Sequence, residues 1–281
     1  MNSSQQLLNI PSEFSKHLEL RGCTKVTVEC YLHDLSFFIR HLNKNILEVE
    51  RSNIEDYLFH LKHEHSYKNS SLVRRIAFLR SFYRFLKDRE YISSNPAKDL
   101  KFPKVREKPI PFLSENDVKQ ILEKAGNQRD QLIIKVFFFE GLRLGELCKL
   151  SKRDIDFTRG KILVNGKGEK QRIIPLHREL AEDLKNYVRS FSSQNRLFPM
   201  TPKKIHDIVR DCAVKVEIHC YPHLLRHSFS ANLYKRTKNV WLVSKMLGHS
   251  KLETTARYLR SLDVIDDFSD EYQNAFGGIL S

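Results

Sequence analysis

From Thr27 to Leu42 the apolar side chains return every three or four positions, at Val28, Tyr31, Leu32, Leu35, Phe38, Ile39 and Leu42. That spacing gathers them on one stripe of an amphipathic helix. A shorter helix is predicted over 53–65. A longer one is predicted over 70–91, with Leu72, Ile76, Leu79, Phe82, Tyr83 and Leu86 inward. Arg74, Arg75, Arg80, Arg84 and Lys87 fall mostly off this second stripe.

The periodicity lapses between Asn95 and Phe112, where four prolines alternate with charges. Such a stretch suits an extended, semi-rigid connection. We therefore divide the chain into a helical domain at 1–100, a linker at 101–112 and a second domain at 113–281. Ser114 followed by Asp117 has the spacing of a helix-opening capping box. The run 132–142 reads as a buried helix. Over 155–176 short β-rich runs are broken at Arg159-Gly160 and at Asn165-Gly166-Lys167-Gly168, which predicts a three-stranded antiparallel sheet. Helices are predicted again over 178–191, 202–216, 223–236 and 240–249. A last short one, opened by Ser250 and Glu253, carries Tyr258. The fold class is mainly α with a small antiparallel β-sheet, in two domains.

Charge narrows the function. The 281 residues carry 48 Lys and Arg against 34 Asp and Glu, a net +14 with a pI near 9.5. A polyanionic partner, nucleic acid above all, fits that excess. The basic charge belongs to the body, since no Lys or Arg follows Arg260 while Asp263, Asp266, Asp267, Asp270 and Glu271 do. The arginines at 74, 75, 80 and 84 are then candidate phosphate contacts, or simply a solvated face. Five cysteines without C-x-x-C spacing suggest buried, reduced thiols and a cytosolic setting. Neither a signal peptide nor a membrane-spanning run is expected.

Four short patterns carry candidate chemistry. In GLRLGEL, Arg143 and Glu146 stand three apart, and Arg143 emerges at the edge of an apolar helix, where a charge needs a partner or ligand. In NGKGEK, Lys167 is lifted on a hairpin tip. In HLLRHSF, His223 and Arg226 share one helix face. His223 and His227 have zinc-ligand spacing but lack an evident third ligand. LGHS brings His249 shortly before Tyr258. Two arginines can clamp the non-bridging oxygens of a phosphodiester. A lysine and histidines can move protons, and a tyrosine hydroxyl can attack phosphorus. No cofactor is called for, neither metal nor ATP.

Arg143, Lys167, His223, Arg226, His249 and Tyr258, in this order and within these phrases, resemble the catalytic pattern of the tyrosine recombinase (phage integrase) family. The short Xer-type members are the most similar. Ser228 departs from the threonine often found there. The resemblance implies a helical core-binding DNA-binding domain followed by an α+β catalytic domain. It implies a site-specific DNA recombinase acting through a covalent 3′-phosphotyrosyl intermediate, in chromosome or plasmid dimer resolution or in mobile-element integration and excision. Its partner would be a double-stranded DNA recombination site, with a tetramer on paired sites. In that scheme Tyr258 is the nucleophile, Arg143 and Arg226 stabilise the phosphoryl charge, and Lys167 is the acid. His223 and His249 assist, and Glu146 orients its neighbours. In the resembled family a C-terminal helix docks on a neighbouring subunit, for which Val264, Ile265, Phe268 and Phe276 are the candidates here; a frayed, solvated acidic end is the alternative. A type IB topoisomerase shares this chemistry, and a non-catalytic DNA-binding protein could keep the fold; both stay open at this point.

Overall fold

The structure, a computed structural model, describes residues 3–105, 111–166, 170–190 and 196–249, with Leu252, Glu253, Thr255 and Ala256. Lys167, Tyr258 and the acidic tail lie outside the described residues. The chain divides into two compact units, Met1–Arg106 and Glu107–Ser281.

The first unit holds α1 (Ser3–Leu20), α2 (Lys25–His41), α3 (Arg51–His63) and α4 (Asn69–Asp88). Thr24 caps α2 by accepting from the Thr27 N–H. Phe14, Phe38, Tyr57, Phe82 and Leu86 meet in its core without solvent exposure, and the Phe14 and Phe82 rings pack edge to face at 5.1 Å. Burying each such side chain contributes about 2 kcal/mol. All six inward positions predicted for α4 are buried, whereas Ile39, expected on the α2 stripe, is 42% exposed.

Arg75 is a correction to the outward arginine series. It is buried, its Nη1 lies 2.7 Å from Asp34 Oδ1, and its guanidinium stands over the rings of Phe37 and Tyr67. Asp34 is itself buried on α2, and a charge there needs a partner from α4. Arg74 pairs with the same carboxylate through its Nη1. Arg80 and Arg84 differ. With Arg21, Thr27 and Ser81 they line an open pocket, and among the described residues none of these three arginines is ion-paired. Arg80 donates to the Lys98 carbonyl at 3.0 Å and lies over Phe102. Ala97 and Leu100 are buried in this unit's core, so the proline-rich stretch begins within the unit.

The second unit opens with α5 (Glu115–Glu123), capped reciprocally by Ser114 and Asp117. Next come α6 (Gln128–Glu140) and the single turn α7 (Leu144–Leu147). Strands β1 (Ile155–Asp156), β2 (Lys161–Asn165) and β3 (Gln171–Pro175) form an antiparallel sheet in that order, with Ile162 opposite Ile174 and Val164 opposite Arg172. Then follow α8 (Arg178–Ser190), α9 (Pro202–Val214), α10 (Pro222–Thr237) and α11 (Val240–Leu247). Helix α10 runs through the centre with residues 224–231 all buried, packed on α6. Gly141 ends α6 at φ +60°, and a Cβ there would lie 2.3 Å from the Phe229 ring, so that position admits glycine alone. Ser228 ties the entry of the unit to α10: its hydroxyl accepts from the Leu113 N–H and donates to the Leu224 carbonyl, both at 2.8 Å.

Cys148, Cys212 and Cys220 are buried, and burial pushes the Cys220 thiol up to about 12. Contrary to the expectation of wholly buried thiols, Cys30 is exposed on α2, and Cys23, in the turn between α1 and α2, is half-buried against the first unit's core. Among the described residues no helix is long and apolar enough to cross a membrane.

Candidate functional site

The site is built around the carboxylate of Glu146, which is 5% exposed. The turn after Gly141 brings Arg143 to the N-cap of α7 rather than onto a helix face, and Glu146 is the third residue of that turn. The Arg143 backbone N–H donates to Glu146 Oε2 and its Nη1 to Oε1, both at 2.8 Å. The Glu146 carboxylate thus caps the one-turn helix from within, and the same bonds aim the Arg143 guanidinium, which keeps 43% of its side chain exposed.

Arg226 arrives from α10. Its Nη1 donates to the Gly141 carbonyl, its Nη2 donates to the Leu247 carbonyl at 2.8 Å, and Nη1 lies 3.7 Å from Glu146 Oε2. Residues 143, 146 and 226 therefore converge on one carboxylate. His223, one turn earlier on α10, and His249, just past α11, lie within electrostatic reach of Arg226 and Arg143, whose charges disfavour their protonation. The base of the β2–β3 turn reaches it too: a Cβ on Gly166 would stand 3.8 Å from Glu146 Oε1. Lys167 follows that glycine but, like Tyr258, lies outside the described residues.

Arg172 was missed by the sequence reading. It donates from Nη1 to Glu146 Oε1 at 2.8 Å, from Nη2 to Oε2 at 2.9 Å, and from Nε to the Met246 carbonyl at 2.9 Å. A signal existed: Arg172 shares the inward register of β3 with buried Ile174, and a charge on the core side of an alternating strand needs a buried partner.

Electrostatics follow from this crowding. Burial alone would raise the Glu146 carboxyl, but hydrogen bonds from Arg172 and Arg143 outweigh it and hold the group at about 2. Arg226 is lowered to about 9, by burial first and then by Arg143. Burial and the nearby arginines depress both histidines, His249 to about 4, so both are neutral at pH 7. His249 Nδ1 lies 2.8 Å from the buried hydroxyl of Thr255. His227, beside His223 with rings 4.3 Å apart, is held at about 3 by burial, His223 and Arg226. Among the described residues no three His, Cys, Asp or Glu side chains form a group that could hold a metal.

A sequence profile of the Phage integrase family matches residues 111–264, and that of the phage integrase N-terminal SAM-like domain matches residues 11–93. A tyrosine recombinase of Pseudothermotoga lettingae is 36% identical over 274 residues, covering 90% of this chain and 94% of that protein. Tyrosine recombinase XerA of Pyrococcus horikoshii is 30% identical over 273 residues, 92% of each. Among solved structures, a XerA recombinase matches with a TM-score of 0.51 at 25% identity, over 96% of this chain and 99% of that one. A lambda integrase dimer bound to a COC′ core site shares the fold with a TM-score of 0.72 at 19% identity, over 88% and 96%. The motifs, the fold and these relatives agree: the chain belongs to the phage integrase family, the tyrosine recombinases, enzymes that cleave and rejoin DNA.

Proposed function

We propose that this protein is a site-specific recombinase of Xer type that exchanges DNA strands through Tyr258. The convergence of Arg143 and Arg226 on Glu146 carries the reading, because it presents two guanidiniums side by side where a phosphodiester can sit. The Tyr258 hydroxyl attacks the scissile phosphorus, forming a 3′-phosphotyrosyl bond as the 5′-oxygen leaves. Lys167 protonates that oxygen. Arg143 and Arg226 bind the non-bridging oxygens more tightly as charge builds on them. A tyrosine titrates near pH 10, so the nucleophile needs a base, and a neutral His223 can accept its proton. In the tautomer whose Nδ1 accepts from the Thr255 hydroxyl, His249 carries its proton on Nε2 and can donate to a phosphoryl oxygen. Attack by a partner strand's 5′-hydroxyl reverses the chemistry, so the phosphotyrosyl bond conserves what rejoining needs.

The first unit, taken as the domain 1–100, would grip the duplex. Arg80 and Arg84 are our phosphate contacts there, since Arg74 and Arg75 are engaged by Asp34. Two copies per site and four on paired sites fit the chemistry, and a lambda integrase tetramer on a Holliday junction shares this fold. A cytoplasmic location follows from action on intracellular DNA.

The test is a nicked suicide duplex carrying a site selected by the purified protein from random-sequence DNA. Wild type should form a denaturant-resistant protein–DNA adduct that Tyr258→Phe abolishes while still binding. DNA that is bound tightly yet never captured covalently would refute the assignment.

A further inference from the structure

We propose that Arg172 is a positioning residue for strand cleavage, keeping Arg226 free for the scissile phosphate by saturating Glu146. The inference rests on the recombinase reading and adds to it a residue that contacts no substrate.

A carboxylate offers about four lone-pair sites. At Glu146, Oε1 takes Nη1 of Arg143 and Nη1 of Arg172; Oε2 takes the Arg143 backbone N–H and Nη2 of Arg172. Each oxygen is doubly occupied. Arg226 approaches the same carboxylate but stops at 3.7 Å, beyond hydrogen-bond reach. It therefore feels the charge of Glu146 without being captured by it. Two of its donors hold the Gly141 and Leu247 carbonyls, and among the described residues the others have no hydrogen-bond acceptor, which leaves them for a phosphate oxygen.

Without Arg172, two lone pairs on a buried anion fall open beside Arg226. The strongest available replacement is a direct Arg226–Glu146 hydrogen bond, which would draw the guanidinium inward by roughly the ångström that separates 3.7 Å from normal geometry. The second loss is at α11. Arg172 and Arg226 hold the consecutive carbonyls of Met246 and Leu247, the helix-end acceptors just before His249. Gly248 between them lies at φ +64°, and a Cβ there would stand 2.8 Å from Arg172 Cδ, so the turn is moulded on this side chain.

Single-turnover cleavage at saturating DNA distinguishes positioning from general support. Arg172→Gln and Arg172→Lys should bind the site within a few-fold of wild type but cleave about a hundredfold more slowly, the cost of an ångström's misplacement. Adding Glu146→Gln to Arg172→Gln removes the charge that captures Arg226, so the double variant should cleave faster than Arg172→Gln alone. Far-ultraviolet circular dichroism confirms folding of each variant, and Arg172→Lys carries the test should the glutamine variant unfold. Wild-type cleavage by Arg172→Lys, equal losses of affinity and rate, or a double variant no faster than Arg172→Gln would each overturn the proposal. Failure of wild type to form an adduct would instead overturn the recombinase assignment itself.

Discussion

Replacing Glu146 by glutamine keeps the shape of the side chain and removes its charge, and the structure sets the consequence. A carboxyl held at about 2 against an ordinary 4.5 contributes about 3 kcal/mol to stability at neutral pH. Because the folded value is the lower one, that contribution is complete above pH 4.5 and is lost as pH falls towards 2. At pH 3 wild type should have given up about 2 kcal/mol of it, while the glutamine variant has nothing there to titrate. Glu146→Ala should cost more, up to about 5 kcal/mol, since it strands Arg172 and Arg226 without a counter-charge. The assay is urea unfolding of the full chain followed by far-ultraviolet circular dichroism, because Trp241, the one tryptophan, is already 61% exposed in the folded chain. A Glu146→Gln variant within about 0.5 kcal/mol of wild type at pH 7 would refute the reasoning. So would a gap that fails to narrow by pH 3.

Glu140 should show the opposite slope. Burial raises its carboxyl to about 7, so between pH 4.5 and 7 the folded chain keeps a proton the unfolded chain has released, and stability declines as pH rises through that window. Glu140→Gln, which can still accept from the His177 N–H, should match wild type at pH 4 and exceed it in Tm at pH 8. Gly141→Ala should cost at least about 2 kcal/mol by urea unfolding, from its positive φ and the Phe229 ring together. Arg84→Ala should lower the salt dependence of DNA binding by about one counterion, whereas Arg74→Ala should leave that slope nearly unchanged, as measured by binding titrations across salt concentrations.

Much of this molecule was legible because local rules and tertiary demand agreed. The apolar spacing of α4 predicted its buried face, and the turn residues at 159–160 and 165–168 predicted the sheet. Arg143 could be singled out because it stood at the edge of an apolar run, and Glu146, His223, Arg226 and His249 because the phrases that hold them resemble the tyrosine recombinase pattern. What escaped was pairing across distance. Arg75 looks like any off-stripe arginine until Asp34, forty-one residues earlier, is seen beside it. Arg172 reads as one more surface cation of a basic chain until its register with Val164 turns it inward. Periodicity reports which way a side chain points, but not which buried charge from another element waits there.

The uneven burial of the thiols has a practical consequence. Cys30 alone is exposed, while Cys148, Cys212 and Cys220 are shielded and resist ionisation. A maleimide dye applied briefly near neutral pH should therefore mark Cys30 first, with Cys23 trailing, since only accessible thiolate reacts. The native chain thus offers a labelling handle on its first unit, and the three thiols of the second would stay unmodified without any cysteine being engineered away.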